Sequence, residues 1–150
     1  MVDRLDARDI LNTNRWTYYD GSGWSPRAGD AAPLKEGVSP ELSVTRIPEG
    51  RHAGGYMLVA MEKTTSGRVV YAVGESPWGP FGEFRLIYQT SEASYLEQAY
   101  TYNAKLHAHL SEPGNYLVSY NVNTFNLGAL RDARIYHPRF VRMVETGRKR

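Results

Sequence analysis

The spacing of apolar residues changes character once along this chain. Val2, Leu5 and Ile10 recur at near-helical spacing, with Asp3 suited to an N-cap, so the pattern predicts a short N-terminal helix ending by Asn12. Beyond it come short alternating runs broken by Gly, Pro and Asn. Trp16 to Tyr19 reads as a strand stopped by the turn pair Asp20-Gly21, and a loop rich in Gly, Pro and Ala follows to about Pro40. Leu42 and Val44 alternate with Ser43 and Thr45 up to Ile47, where Pro48-Glu49-Gly50 marks a turn. Tyr56 to Glu62 is the most apolar run, closed by Thr64 to Gly67. Val69 to Val73 is the next strand, and Phe84 to Tyr88 resumes the sheet after the stiff loop Ser76 to Gly82. Hairpin-length connections join these last four strands, which predicts one antiparallel up-and-down sheet.

The pattern then restarts. Ser91 to Tyr100 fits a loop or one helical turn. From Asn103 to Leu110 polar and apolar residues alternate, placing Asn103, Lys105, His107 and His109 on one face and Ala104, Leu106, Ala108 and Leu110 on the other. Glu112 to Asn115 is a turn, Tyr116 to Asn121 a strand, and Arg139 to Val144 a further strand after the breaker His137-Pro138. Each half holds a strand, a turn with Pro and Gly, and an apolar strand entered through Tyr (Tyr56, Tyr116). The repeat, with a period of roughly 60 residues, suits the blade of a β-propeller with long loops. A single antiparallel sandwich would share the strand pattern.

Composition narrows the class. A length of 150 residues suits one domain, and 41% hydrophobic with 23% charged residues argues against wholesale disorder. Lys and Arg total 18 against 16 Asp and Glu, so net charge names no partner. The basic excess is local to the C-terminal stretch, and residues 146–150 read as a solvated basic tail. No groove or stacking platform for nucleic acid shows in the sequence, so no nucleic-acid partner is expected. With no cysteine, disulfides and thiolate metal sites are excluded. The charged start Met1 to Asp6 is unlike a signal peptide, and no apolar segment is long enough to span a bilayer, so no membrane partner is expected. The compartment stays open.

The order of motifs carries a resemblance. Trp16-Thr17-Tyr18-Tyr19-Asp20-Gly21 with Trp24 is followed by Gly37 to Val44, then by Ser76-Pro77-Trp78-Gly79-Pro80-Phe81. Tyr102 to Lys105, Leu117 to Asn121 and Tyr136 to Phe140 come after. This order resembles the C-terminal half of bacterial five-bladed β-propellers, once grouped as a family of unknown function and related to arabinanase- and xylosidase-type glycoside hydrolases. The resemblance implies an all-β fold, a partial five-bladed propeller of about two four-stranded antiparallel blades. Residues 13–24 would be the outer strand of a preceding blade, 41–90 one blade and 102–145 the last blade. It also implies a polysaccharide or oligosaccharide ligand of the arabinan type, no cofactor, and an extracellular location for the full-length family. Five blades need roughly 300 residues, so ring closure is expected to require a missing N-terminal half or another chain.

Glycoside hydrolysis needs two carboxyl groups across the scissile bond. Glu41, after Ser39-Pro40 at the start of an inner strand, is the candidate general acid; by pattern alone it is equally a surface residue at a strand edge. Glu62, Glu75 and Asp20 are weaker candidates for the partner, Asp20 being better suited to bonding turn amides. Asn103, Lys105 and His107 on their shared face, together with Asn121, are candidate sugar-binding groups. Trp24 and Trp78, in segments rich in Gly and Pro, are candidate stacking platforms. His107 and His109 have the spacing of two metal ligands on a strand, but strand histidines are more often ordinary hydrogen-bonding residues, and no metal is assigned. No phosphate loop, dinucleotide fingerprint or Gly-x-Ser-x-Gly elbow is present. Whether the chain acts as an enzyme therefore turns on a second carboxylate. The alternative is a non-catalytic carbohydrate-binding or assembly module that completes a propeller with another chain.

Overall fold

A computed structural model describes residues 2–145. Ten strands run in chain order: β1 (Asp3–Arg4), β2 (Thr17–Tyr19), β3 (Trp24–Ser25), β4 (Val38–Arg46), β5 (Tyr56–Glu62), β6 (Arg68–Gly74), β7 (Arg85–Gln89), β8 (Ala99–Leu106), β9 (Asn115–Thr124) and β10 (Arg139–Val144). They form three antiparallel sheets, ordered β1-β2-β3, β4-β5-β6-β7 and β10-β9-β8. The fold of the described residues is thus all-β, without a long helix and without a closed barrel.

The apolar run Tyr56–Glu62 becomes β5, a central strand buried on both sides. Met57, Val59 and Met61 point one way and join Val69 from β6 in the larger core, while Leu58 and Ala60 point the other way with Ala72 and Phe81. The larger core is completed by Ala104, Leu106, Tyr116, Val118, Tyr120 and Val122, so the four-stranded sheet packs face to face on the last sheet. On its opposite face Val38, Leu42 and Val44 of β4 join Leu58, Ala60 and Ala72, and Leu34, Phe81 and Phe84 pack over them. Phe81 folds back over the end of β6, and Gly74 permits this: a Cβ there would lie 2.8 Å from the Pro80 carbonyl oxygen and 3.0 Å from the Phe81 ring.

Between the sheets a buried polar link replaces apolar contact. Glu92, 4% exposed, accepts a hydrogen bond from the Tyr120 hydroxyl (3.0 Å) and lies 3.5 Å from the Arg139 guanidinium. Burial, then the hydrogen bond to Glu92, pushes the Tyr120 phenol well above its ordinary range. Tyr88 of β7 stacks on Tyr120 with ring centroids 6.0 Å apart, so the link ties β7, β9 and β10 together.

Three expectations need correction. In place of the N-terminal helix there is β1, whose Asp3 pairs with Tyr18, and a 3₁₀ turn at Ala7–Asp9 capped by Asp6. A helix of two turns is too short to offset its own nucleation cost, and strand pairing wins. The strand near Trp16 to Tyr19 is flanked on both sides, as the middle of a three-stranded sheet. The alternation across Asn103 to Leu110 also ends early: β8 stops at Leu106, and Ala108–Leu110 is a 3₁₀ turn with Leu110 54% exposed. Residues 146–150, the expected basic tail, lie outside the described residues.

Candidate functional site

β4 and β8 pack against each other, the amide of Leu106 at the end of β8 donating to Ser43 Oγ near the middle of β4 (2.8 Å). Both strands are irregular. On β4, Val38 pairs with Glu62 but Leu42 with Ala60, so the segment Ser39–Glu41 bulges from the ladder. Pro40 has no N–H to lose at such a place, and buried Ser39 holds the bulge by donating to the Glu41 carbonyl (2.8 Å). On β8, Tyr102 pairs with Asn121 but Lys105 with Ser119, so β8 carries one extra residue. Asn103 takes a positive φ of 57° in this bulge. Bulges re-aim side chains and recur beside active sites.

Both irregularities lie on strands that pack against each other, and the charge of Glu41 reaches Tyr102. Glu41 is exposed, on the strand that neighbours β8. The Tyr102 phenol is pushed up, first by burial and then by the charges of Tyr100, Glu41 and Tyr136. Glu41 is the one carboxylate among those neighbours. Tyr136 has a φ of 61°, uncommon for a bulky residue. The Asn103 Oδ1 atom is buried without a hydrogen-bond partner, and Asn121 stands directly across from Tyr102. A carboxylate, phenols and amides therefore lie along the paired irregularities of β4 and β8, a set able to exchange hydrogen bonds with a polyhydroxylated ligand.

The extra residue also changes which groups share a face. Alternation alone unites Asn103 with Lys105 and His107; the register instead puts Tyr102, Lys105 and His107 on the outer face of the last sheet, with Asn121 and Ser119. Lys105 is exposed, and His107 shares a hydrogen bond with Ser119 (2.7 Å) farther along that face. Among the described residues no group of three His, Asp or Glu side chains is placed to hold a metal ion.

Trp24 and Trp78 meet each other. Trp24 lies in β3 rather than in a loop, and its ring contacts Trp78 edge-on at 5.3 Å and Tyr19 at 5.6 Å, with the Arg4 guanidinium 4.7 Å from its centroid. This cluster joins the first sheet to the β6–β7 loop. In register Trp78 lies beyond Gly74, across from Tyr56 and Arg46, whereas Glu41 lies toward the Val38 end of β4. Of the other carboxylates, Glu62 is taken by Arg68 (2.5 Å), and Asp20 accepts from the amides of Ser22 (2.8 Å) and Gly23 (2.7 Å), which hold its carboxyl below the usual range. Nothing in the sequence signals that Tyr136 acts on Tyr102; for Tyr100 the available signal was the doublet Tyr100 and Tyr102, two apart on one strand.

The fold has a solved counterpart. A crystal structure of a Bacteroides ovatus protein described as a "putative hydrolase" is similar over 93% of this chain, with a TM-score of 0.68 and 22% sequence identity. The chain spans 38% of the length of that protein. No curated protein sequence matches. A family model described as "Domain of unknown function (DUF5005)" matches residues 1–146, and with nearly its whole length covered the chain belongs to that family.

Proposed function

We propose that the chain is a sector of a carbohydrate-active β-propeller, glycoside hydrolase-like and directed to arabinan-type polysaccharide, with the site around Glu41 contacting the sugar. In this reading the three sheets are successive blades, and β4 and β8 are inner strands lining a central funnel. One observation carries the proposal: an exposed carboxylate stands on a bulge of β4, the strand that packs on bulged β8, and its charge reaches Tyr102, which faces Asn121. The similarity to a protein described as a hydrolase points the same way.

Glu41 protonates the leaving oxygen, and hydrolysis needs a second carboxyl group roughly 5–5.5 Å away for retention or 6.5–9.5 Å for inversion. Glu62 is engaged by Arg68 and Asp20 by the amides of Ser22 and Gly23, so neither is free to serve as that partner. That engagement also favours a second reading, in which the isolated chain binds sugar without cleaving it.

Release of reducing sugar from arabinan tests the proposal. Glu41→Gln lowers turnover by about 100-fold or more, the contribution expected of a general acid. Turnover unaffected by Glu41→Gln removes that role. Saccharide binding by the wild type without release selects the binding module.

A further inference from the structure

The last two sheets are built alike up to their third strand. β4 and β8 each open a sheet with a bulged ladder, β5 and β9 follow, entered through Tyr56 and Tyr116, and β6 and β10 come third. β7 then pairs with the far side of β6, whereas β10 is itself the edge of its sheet. The β9–β10 register shows which groups that edge presents. Val144 pairs with Asn115, and one step on the Glu145 amide donates to the Gly114 carbonyl (2.8 Å). Bonded and non-bonded pairs alternate along an antiparallel ladder, so Arg139, Val141 and Met143 bond to β9. The amides and carbonyls of Phe140, Arg142 and Val144 point away from it, and among the described residues no backbone group meets them. β10 holds no proline, and its register is unbroken. Arg142, the charge best placed to guard the edge, leans back toward β9 and donates to Asn115 Oδ1 (3.4 Å). An edge left open in this way is a template for a further strand.

The surroundings select that strand. A cleft of about 310 Å³ lies between β7 and β10, with Tyr71, Ile87 and Met143 in its wall, and in it Arg51 and Arg142 outnumber Glu145. Val141 and Met143 turn toward the core, so residues opposite them on an added strand face inward and are apolar. The residue opposite Arg142 is acidic. A second copy does not fit: paired antiparallel about a two-fold axis over the whole strand, Arg142 would stand opposite its own copy, and like charges across a ladder are destabilising. We propose that the free edge of β10 takes an antiparallel strand from a different partner chain, apolar opposite Val141 and Met143 and acidic opposite Arg142. The inference goes beyond the sugar reading of the Glu41 site and does not depend on it.

Hydrogen exchange of the full chain, with the peptide acetyl-Ser-Thr-Val-Glu-Val-Thr-Ser-amide as probe, tests it. Saturating peptide slows exchange of the Phe140, Arg142 and Val144 amides about tenfold or more. A peptide with Lys in place of Glu binds about tenfold more weakly, and Arg142→Glu reverses that order. Arg142→Pro removes an amide that β9 does not use, so it keeps the fold in a thermal melt and loses the peptide. Absence of protection at millimolar peptide overturns the proposal, as does protection of β7 in place of β10. A wild-type dimer in light scattering whose β10 amides are protected without peptide identifies a second copy as the occupant and overturns the partner assignment.

Discussion

The four-stranded sheet and the last three-stranded sheet share an interface but differ on their far sides. In β5 every residue from Met57 to Met61 is fully buried, because both faces of its sheet are covered. In β9 burial alternates strictly from Asn115 to Thr124: Tyr116, Val118, Tyr120 and Val122 face the core, and Leu117, Ser119, Asn121 and Asn123 face outward. Among the described residues, one sheet is covered on both faces and the other on one. The chemistry-bearing residues gather where the sheet covered on one face packs on β4. A polar face can evolve there without damage to the core.

The strongest way to break the comparison is to truncate both faces of each sheet. Leu58→Ala and Met57→Ala each cost about 2–5 kcal/mol in urea unfolding, since each empties a buried volume. On β9 only one parity is costly: Leu117→Ala, on the half-exposed face, costs less than about 1.5 kcal/mol. Equal losses at Leu117 and Leu58 contradict the two-sided and one-sided assignment.

A smaller effect sharpens the shared interface. Tyr120→Phe removes one hydrogen bond from buried Glu92, which keeps the Ser91 amide and Arg139, and costs about 1–3 kcal/mol. The same link predicts an alkaline limit. Folding raises the Tyr120 phenol above the ordinary value of 10.0, so its stabilisation is complete below that pH. It is lost as pH rises beyond 10.0, where the unfolded phenol ionises first. Tyr102 and Tyr116 shift in the same direction and add to the loss. Denaturation at pH 9 and pH 11 reads this decline, which is shallower in Tyr120→Phe.

The smallest effect sits in the β9–β10 connection. The Arg134 side chain, then its amide, holds the Asp132 carboxyl down at about 2. Its contribution is present above the ordinary 3.8 and disappears as pH falls through about 2. The pair is exposed, so only a slight acid sensitivity separates Asp132→Asn from the wild type in a melt between pH 5 and pH 2.

Much of this architecture was legible in the sequence, for reasons the two sheets make plain. The unbroken apolar run of β5 and the segment of β10 gave their bounds directly, because burial dictates residue type over whole strands. The N-terminal segment misled because three apolar residues at helical spacing cannot outweigh pairing with β2. Glu41 could be read as an acid ahead of a strand. Its neighbourhood could not, because Tyr102 arrives from a different sheet and through a bulge that leaves no mark in the alternation. Trp24 and Trp78 looked like free platforms because nothing local reveals that two distant indoles pack together.

The extra residue in β8 acts on this sheet as an inserted base acts on a reading frame. Upstream of it the even-numbered Tyr100 and Tyr102 face outward; downstream the odd-numbered Lys105 and His107 do. Deleting Asn103 would restore plain alternation, with Tyr100, Tyr102 and Lys105 still opposite Asn123, Asn121 and Ser119, and would remove only the bulge and the side chain it carries. What the extra codon writes into this face is therefore the bulge itself, and not the side on which its neighbours stand. Losing it would straighten the strand at Asn103 and spare the rest.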